Sequence, residues 1–156
     1  MKTLSRALVS LLLLTPMLAW STNHREGITL VQGTEQQVMN LEELHGQANI
    51  AIDIYEPFRR DHISIRGIRL VDFVEQHFND TPDSIALQAH DGYTVEITDW
   101  QDRNWILMTH ENGRPLTLRT HGPLRLVEED LRDRDPEILR DFTDWVWMIK
   151  QITATQ

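Results

Sequence analysis

Between Asn49 and Ile97 the chain alternates apolar and polar residues, breaks off, and then resumes in a different period. In "NIAIDIY", Asn49 to Tyr55, Ile50, Ile52 and Ile54 recur at every second position, which predicts a strand with one buried face. "EPFRRDH" interrupts the pattern and "ISIRGI" restores it. In "RLVDFVEQHF" the apolar spacing lengthens, bringing Leu70, Phe73, Val74 and His77 onto one side of a helix of about two to three turns. "NDTPDS" ends that helix. "IALQAHDGYTVEIT" then reads as two alternating strands joined at Asp91-Gly92.

The same reading extends to both ends. Ile28 to Val31 predicts a short strand, and Asn40 is suited to cap the brief helix "LEELHG", with Gly46 closing it. Trp100 to Asn104 reads as a polar helical turn and "WILMTH" as a strand. Asn112-Gly113 is the pair that best tolerates the two positive φ angles of a tight hairpin. Gly122-Pro123 then redirects the chain into "LRLV", Leu124 to Val127; Pro123 cannot donate to a ladder, so it belongs at the mouth of that strand. Pro136 opens a short acidic helix in "DPEILRDF". "DWVWMIKQI" reads as a closing strand with Trp145, Trp147 and Ile149 on one face. The expected class is α+β, dominated by strands and with short helices.

The N-terminus follows a different logic. Lys2 and Arg6 precede the apolar run Ala7 to Ala19, the form of a secretory signal and short for a membrane span. "LAWST" supplies small residues for cleavage near residues 19–21, so residues 1–21 read as a signal peptide and residues 22–156 as one domain, without a membrane span once the signal is cleaved. A retained N-terminal anchor is the competing reading. Signal cleavage implies a periplasmic location. Losing Lys2 and Arg6 leaves 13 basic residues against 24 acidic ones, so the formal charge moves from −9 to −11. That balance argues against nucleic acid as a partner. The 156 residues contain no cysteine, so an oxidising compartment would not be used for disulfides.

Candidate chemistry is sparse. His24, His45, His62, His77, His90, His110 and His121 show neither the i,i+4 nor the i,i+2 spacing of a metal site, so no metal ligands are assigned. No phosphate loop, nucleophile elbow or thiol nucleophile is present. Asp99, Asp102, Glu111 and the run Glu128 to Asp130 read as solvated charge, and no catalytic residue is assigned. The arginines are more suggestive: Arg59, Arg60, Arg66, Arg103, Arg114, Arg119 and Arg125 all lie in or beside predicted turns. A few that converge would form a local anion site; surface neutralisation of nearby carboxylates is the alternative. Trp100, Trp105, Trp145 and Trp147 read as core.

The segment order carries a resemblance. "IRGIRLVDFVEQ", "IALQAHDGYTVEITD", "WILMTHENGRPLTLRTHGPLRLV" and "DWVWMIKQI", together spanning about Ile63 to Ile152, resemble the molybdopterin-binding domain of the sulfite oxidase family. Leu41 to Leu44, the alternating Ile50 to Ile54 and the dipeptide Pro57-Phe58 resemble the small exported relatives of those enzymes more closely. The resemblance implies a truncated sulfite-oxidase-like fold, since the enzymes carry a longer N-terminal part. It also implies a cleft gathering Arg59, Arg60, Tyr93, Arg114, His121 and Arg125 as candidate ligand-binding residues.

Two departures from the family stand out. Its redox members hold molybdenum through a cysteine thiolate, and this chain has none. Where many carry a phosphate-binding lysine before the terminal tryptophan, this chain has Asp144. The reading that follows is an exported, non-catalytic domain with no expected cofactor. Its partner would be a small anionic ligand or an extracytoplasmic protein, in a signalling or redox-accessory role. The alternative is a molybdopterin-dependent oxidoreductase.

Overall fold

The computed structural model describes residues 27–156, so the expected signal peptide lies outside the described residues. Among the described residues, ten strands form two sheets. The first has the order β2-β1-β10-β5-β6: β2 (Glu35–Asn40), β1 (Gly27–Gln32), β10 (Ile149–Thr155), β5 (Ser84–Ala89) and β6 (Thr94–Ile97). β1 and β10 run parallel and the other neighbours antiparallel. The second has the order β3-β4-β7-β8: β3 (Ile50–Glu56), β4 (Asp61–Arg69), β7 (Trp105–Glu111) and β8 (Arg114–Pro115). β9 (Arg125–Glu128) also pairs with β7, at the end away from β8. Two short helices complete the fold, α1 (Leu41–Gly46) and α2 (Leu70–His77). Among the described residues no helix is long and apolar enough to cross a membrane.

The periodicities account for most of this. α2 buries Leu70, Phe73 and Val74 as its spacing predicts, together with Val71, and leaves His77 half-buried. Asn40 caps α1 by accepting from the Glu43 N–H at 2.9 Å. Gly46 does not close the helix: it remains helical, and Gln47 in an ordinary right-handed conformation is the cap. Asn112 and Gly113 both take positive φ, 48° and 77°, as a tight hairpin requires. Gly122-Pro123 is a cis peptide one residue before β9, which begins at Arg125 and not at Leu124.

Three elements differ from expectation. β2 is a strand without a hydrophobic alternation; only Met39 is buried, and pairing to β1 over six residues holds the rest. The helix expected at Pro136 is only a 3-10 turn over Leu139–Phe142. The closing strand starts at Ile149 and not at Asp144. Before it, Trp145 to Met148 ties the two sheets together with long-range backbone bonds. Val146 accepts from Leu126 N–H on β9, Met148 N–H donates to His121, and the Met148 carbonyl accepts from His90 N–H, at 2.8, 3.0 and 3.0 Å. Met148, at φ 53°, separates this segment from the strand. Trp145 and Trp147 lie before the strand and do not share a strand face: Trp145 is buried with Phe142, and Trp147 is half-buried beside Phe58 and His121.

The core draws on both sheets and α2, with Trp100, Trp105, Phe142 and Trp145 joining it. The second sheet is curled. Glu56, at the end of β3, reaches Arg125 on β9 at 3.2 Å although β4 and β7 lie between their strands.

Candidate functional site

The curl brings a charged cluster and an aromatic groove together at one end of the second sheet. Glu56 is fully buried at the end of β3, where the turn Pro57 to Arg60 begins. That turn folds back on it: Arg59 N–H donates to Glu56 Oε2 at 2.7 Å, and Arg60 N–H to the Glu56 carbonyl at 2.8 Å, with Arg60 at φ 56°. From β9, Arg125 Nη2 donates to Glu56 Oε1 at 3.2 Å and Nη1 to Glu111 Oε2 at 3.5 Å. Arg59 grips Glu111 with both terminal nitrogens, at 2.5 and 3.0 Å. Two carboxylates thus meet two guanidinium groups, and the cluster has no formal net charge.

Arg125 has 0% exposure, a rare position for a guanidinium that a charge-paired site makes tenable. Burial lowers its pKa from the ordinary value, and Glu56 and Glu111 oppose that shift. The Glu111 hydrogen bond raises that of Arg59. Trp147 lies over the Arg125 guanidinium at 4.7 Å and closes it from solvent. His121 and Phe58 pack on the same indole, with ring centroids 4.8 and 5.1 Å away.

The groove opens on the outer side of Trp147. It has a volume of about 270 Å³, with walls that include Phe58, Tyr93, Leu139, Phe142 and Trp147. Tyr93 holds the far wall in place by donating its hydroxyl to the Thr143 carbonyl at 2.7 Å. Phe58, Tyr93 and Leu139 are 37%, 48% and 38% exposed, which makes this groove the densest collection of exposed large apolar side chains among the described residues. Apolar surface concentrated in a concavity marks a binding position more often than scattered surface residues do.

The candidate residues read from the sequence are distributed unevenly. Arg59, His121 and Arg125 meet around Glu111 and Trp147, and Tyr93 faces them across the groove. Arg60 turns away to Glu137, at 3.0 Å between two exposed side chains. Arg114 stands exposed on the hairpin, opposite Glu111 in register. Arg125, one of the six residues of the cleft that the resemblance implies, points inward to two carboxylates and presents no free guanidinium beside His121. His121 itself is exposed, at φ 62°. Of the other arginines, Arg66 donates to the Ala48 carbonyl and Arg103 pairs with Asp72 at 2.9 Å.

Glu56 and Trp147 are the residues that sequence reasoning assigned no part in the site. "EP" before Phe58 gave only a break in a strand, and nothing local shows that the carboxylate turns inward. Glu111 and Glu128, expected in solvated charge, are also engaged: Glu128 is buried and accepts from Trp145 Nε1 and Asn104 Nδ2, each at 3.1 Å. Burial raises the pKa of Glu128.

A second polar group lies where α1 meets β7. His45 and His110 have ring centroids 5.0 Å apart, Thr109 Oγ1 is 2.8 Å from His110 Nδ1, and His45 Nε2 is buried without a partner. Burial lowers the pKa of His45, His77 and His110. Above about pH 6.5 both folded and unfolded chains hold these rings neutral. As pH falls through that value the unfolded chain takes up protons first, so stability declines until the lower folded values are passed. Melting temperature is therefore expected to fall between pH 7.5 and 5.5, and to fall less steeply in a His45→Gln/His110→Gln variant. Parallel slopes for the two proteins would show that these rings do not carry the dependence.

No protein-family model and no curated protein matches the sequence. Among solved structures, the fold is similar to that of the sulfane dehydrogenase SoxCD from Paracoccus pantotrophus. The TM-score is 0.59 at 12% identity over 83% of this chain. The chain spans 38% of the length of that one, and at such identity the likeness is one of fold.

Proposed function

We propose that this chain is an exported, non-catalytic binding domain on a sulfite-oxidase-like scaffold, and that its ligand position is the aromatic groove of Phe58, Tyr93 and Trp147. One observation carries the reading. The arginine of the Gly-Pro-Leu-Arg corner is consumed internally, by Glu56 and Glu111 beneath Trp147, and the open surface beside it is aromatic. A small oxyanion would have to displace a buried carboxylate to reach Arg125. An apolar or planar group, or the aromatic side chain of an extracytoplasmic partner, finds an open concavity.

The family's molybdenum cofactor does not fit the residues present. The soft thiolate that holds the metal in the redox members has no counterpart in a chain without cysteine. Where the family carries a phosphate-binding lysine, Asp144 has its carboxylate gripped by Arg134 on both oxygens. The likeness to a sulfane dehydrogenase supports the scaffold, and these departures support its use for binding without metal chemistry.

Indole and p-cresol, analogues of tryptophan and tyrosine side chains, provide the test. Titration of either into the 15N-labelled protein is expected to move the Trp147 Nε1–H resonance and the amides of 89–93 in a saturable way, and Tyr93→Ala is expected to weaken binding several-fold. Sulfite and sulfate are expected to give no heat in calorimetry. Saturable heat with sulfite, or aromatic probes that leave Trp147 unmoved, would overturn the reading.

A further inference from the structure

We propose that the outer edge of β3 is a docking site for an extended segment of a partner protein carrying basic residues at alternate positions, separate from the aromatic groove. A sheet edge presents a row of unpaired N–H and C=O groups, and proteins commonly blunt such edges by shortness, charge, bulges or a cover. The other edges here are shorter, covered or more polar. β6 has four residues and β8 two. β2 begins with Glu35, Gln36 and Gln37, all exposed. β9 has Val146 along its outer side, through the Leu126 N–H bond.

β3 has only one of these protections, the single charge of Asp53. It runs for seven residues in unbroken register with β4, without a bulge or an internal proline. Asp53 is the one charge before its buried end at Glu56. Among the described residues, no backbone hydrogen bond connects residues 50–55 to anything but β4.

The space beside this edge fits a strand and selects its charge. A groove of about 680 Å³ has Asp53, Ile54 and Tyr55, with His62 of the neighbouring β4, on one side and residues 102–104 and 129–132 on the other. Of its four carboxylates, Asp102 is held by Arg132 at 2.7 Å and Glu129 by Arg69 at 2.6 Å. Asp53 has only the Ser64 hydroxyl, and Asp130 accepts the Arg132 backbone N–H with that arginine's guanidinium close by on Asp102. Against the four carboxylates stand only Arg132 and Arg103, the latter paired with Asp72, so the lining is negative on balance and Asp53 is its carboxylate without a cation. A strand added to β3 would present every second side chain on the Asp53 face, where lysine or arginine is complementary. The intervening positions would lie on the side of Ile52 and Ile54, where apolar residues fit. A second copy of this chain is disfavoured, because a two-fold axis through the middle of β3 would set Asp53 against Asp53.

The test uses two peptides, acetyl-VKVKVKV-amide and acetyl-VEVEVEV-amide, titrated into the 15N-labelled chain. The lysine peptide is expected to bind saturably, to shift amides 50–56, and to slow hydrogen exchange at alternate positions of β3. The glutamate peptide is expected to bind at least about ten-fold more weakly, and Asp53→Lys is expected to reverse that preference with its melting temperature unchanged. Equal affinity for the two peptides in the wild-type protein, or shifts confined elsewhere, would overturn the proposal without reference to any variant. Protection of residues 50–56 that rises with protein concentration alone would also overturn it and assign the edge to self-pairing. Movement of Trp147 with β3 silent would place peptide binding in the aromatic groove and reject this site.

Discussion

Replacing Glu56 by alanine is expected to lower the unfolding free energy by about 3 to 5 kcal/mol, the range for removing one partner of a buried ion pair. The size comes from what remains. Arg125 has 0% exposure and no route to water, and Glu111 alone, at 3.5 Å, would have to balance both it and Arg59. Replacing both ends, as Glu56→Leu with Arg125→Met, removes the stranded charge along with the pair, and buried pairs exchanged for apolar groups of similar size are often neutral in stability. The double variant is expected to be more stable than Glu56→Ala alone. Urea unfolding at pH 7 of Glu56→Ala, of Glu56→Leu and Arg125→Met singly, and of the double variant decides this. Free-energy losses that add within about 0.5 kcal/mol would mean that the two side chains are not coupled.

Trp145→Ala is expected to cost a further large amount, about 3 to 5 kcal/mol, as for other buried aromatic truncations. Its indole is 4% exposed, packs edge-on against Phe142 at 5.6 Å, and donates to buried Glu128 at 3.1 Å. Losing it leaves a cavity and takes a donor from a carboxylate that burial already disfavours. Trp147→Ala should cost less, because Trp147 is half-buried and outside any strand. The contrast separates the observed backbone from the regular strand that the sequence suggests, in which the two residues would be equivalent. Equal losses from the two truncations would favour that regular strand.

The sequence makes local structure legible and leaves its long-range consequences hidden. Alternation in β3, β4 and β5, the helical spacing of α2, and the turns at Asp91-Gly92 and Asn112-Gly113 each depend on a few adjacent residues, and each appears where its pattern stands. β2 was not legible because its own residues do not hold it; β1 does. Trp145 to Met148 reads as a strand by composition, but its backbone groups find His90, His121 and Leu126, partners set by the meeting of two sheets.

The candidate site divides in the same way. Turn positions and the family resemblance brought out Arg59, His121 and Arg125, and the fold does gather these three around one indole and one carboxylate. What they could not give was the sign of the cluster. Glu56 and Arg125 are 69 residues apart, and their meeting depends on the curl of a sheet that no local pattern encodes. An arginine-rich set of turns thus reads as positive when the folded cluster is neutral.

The proposed use of this scaffold for binding without molybdenum chemistry is tested most directly on the protein purified from its native source. Molybdenum is determined by elemental analysis, and pterin by fluorescence after denaturation, on the same sample. Both are expected below about one-tenth of the protein concentration. Molybdenum and pterin each present in stoichiometric amount would contradict it, and would require a metal site that needs no cysteine from this chain.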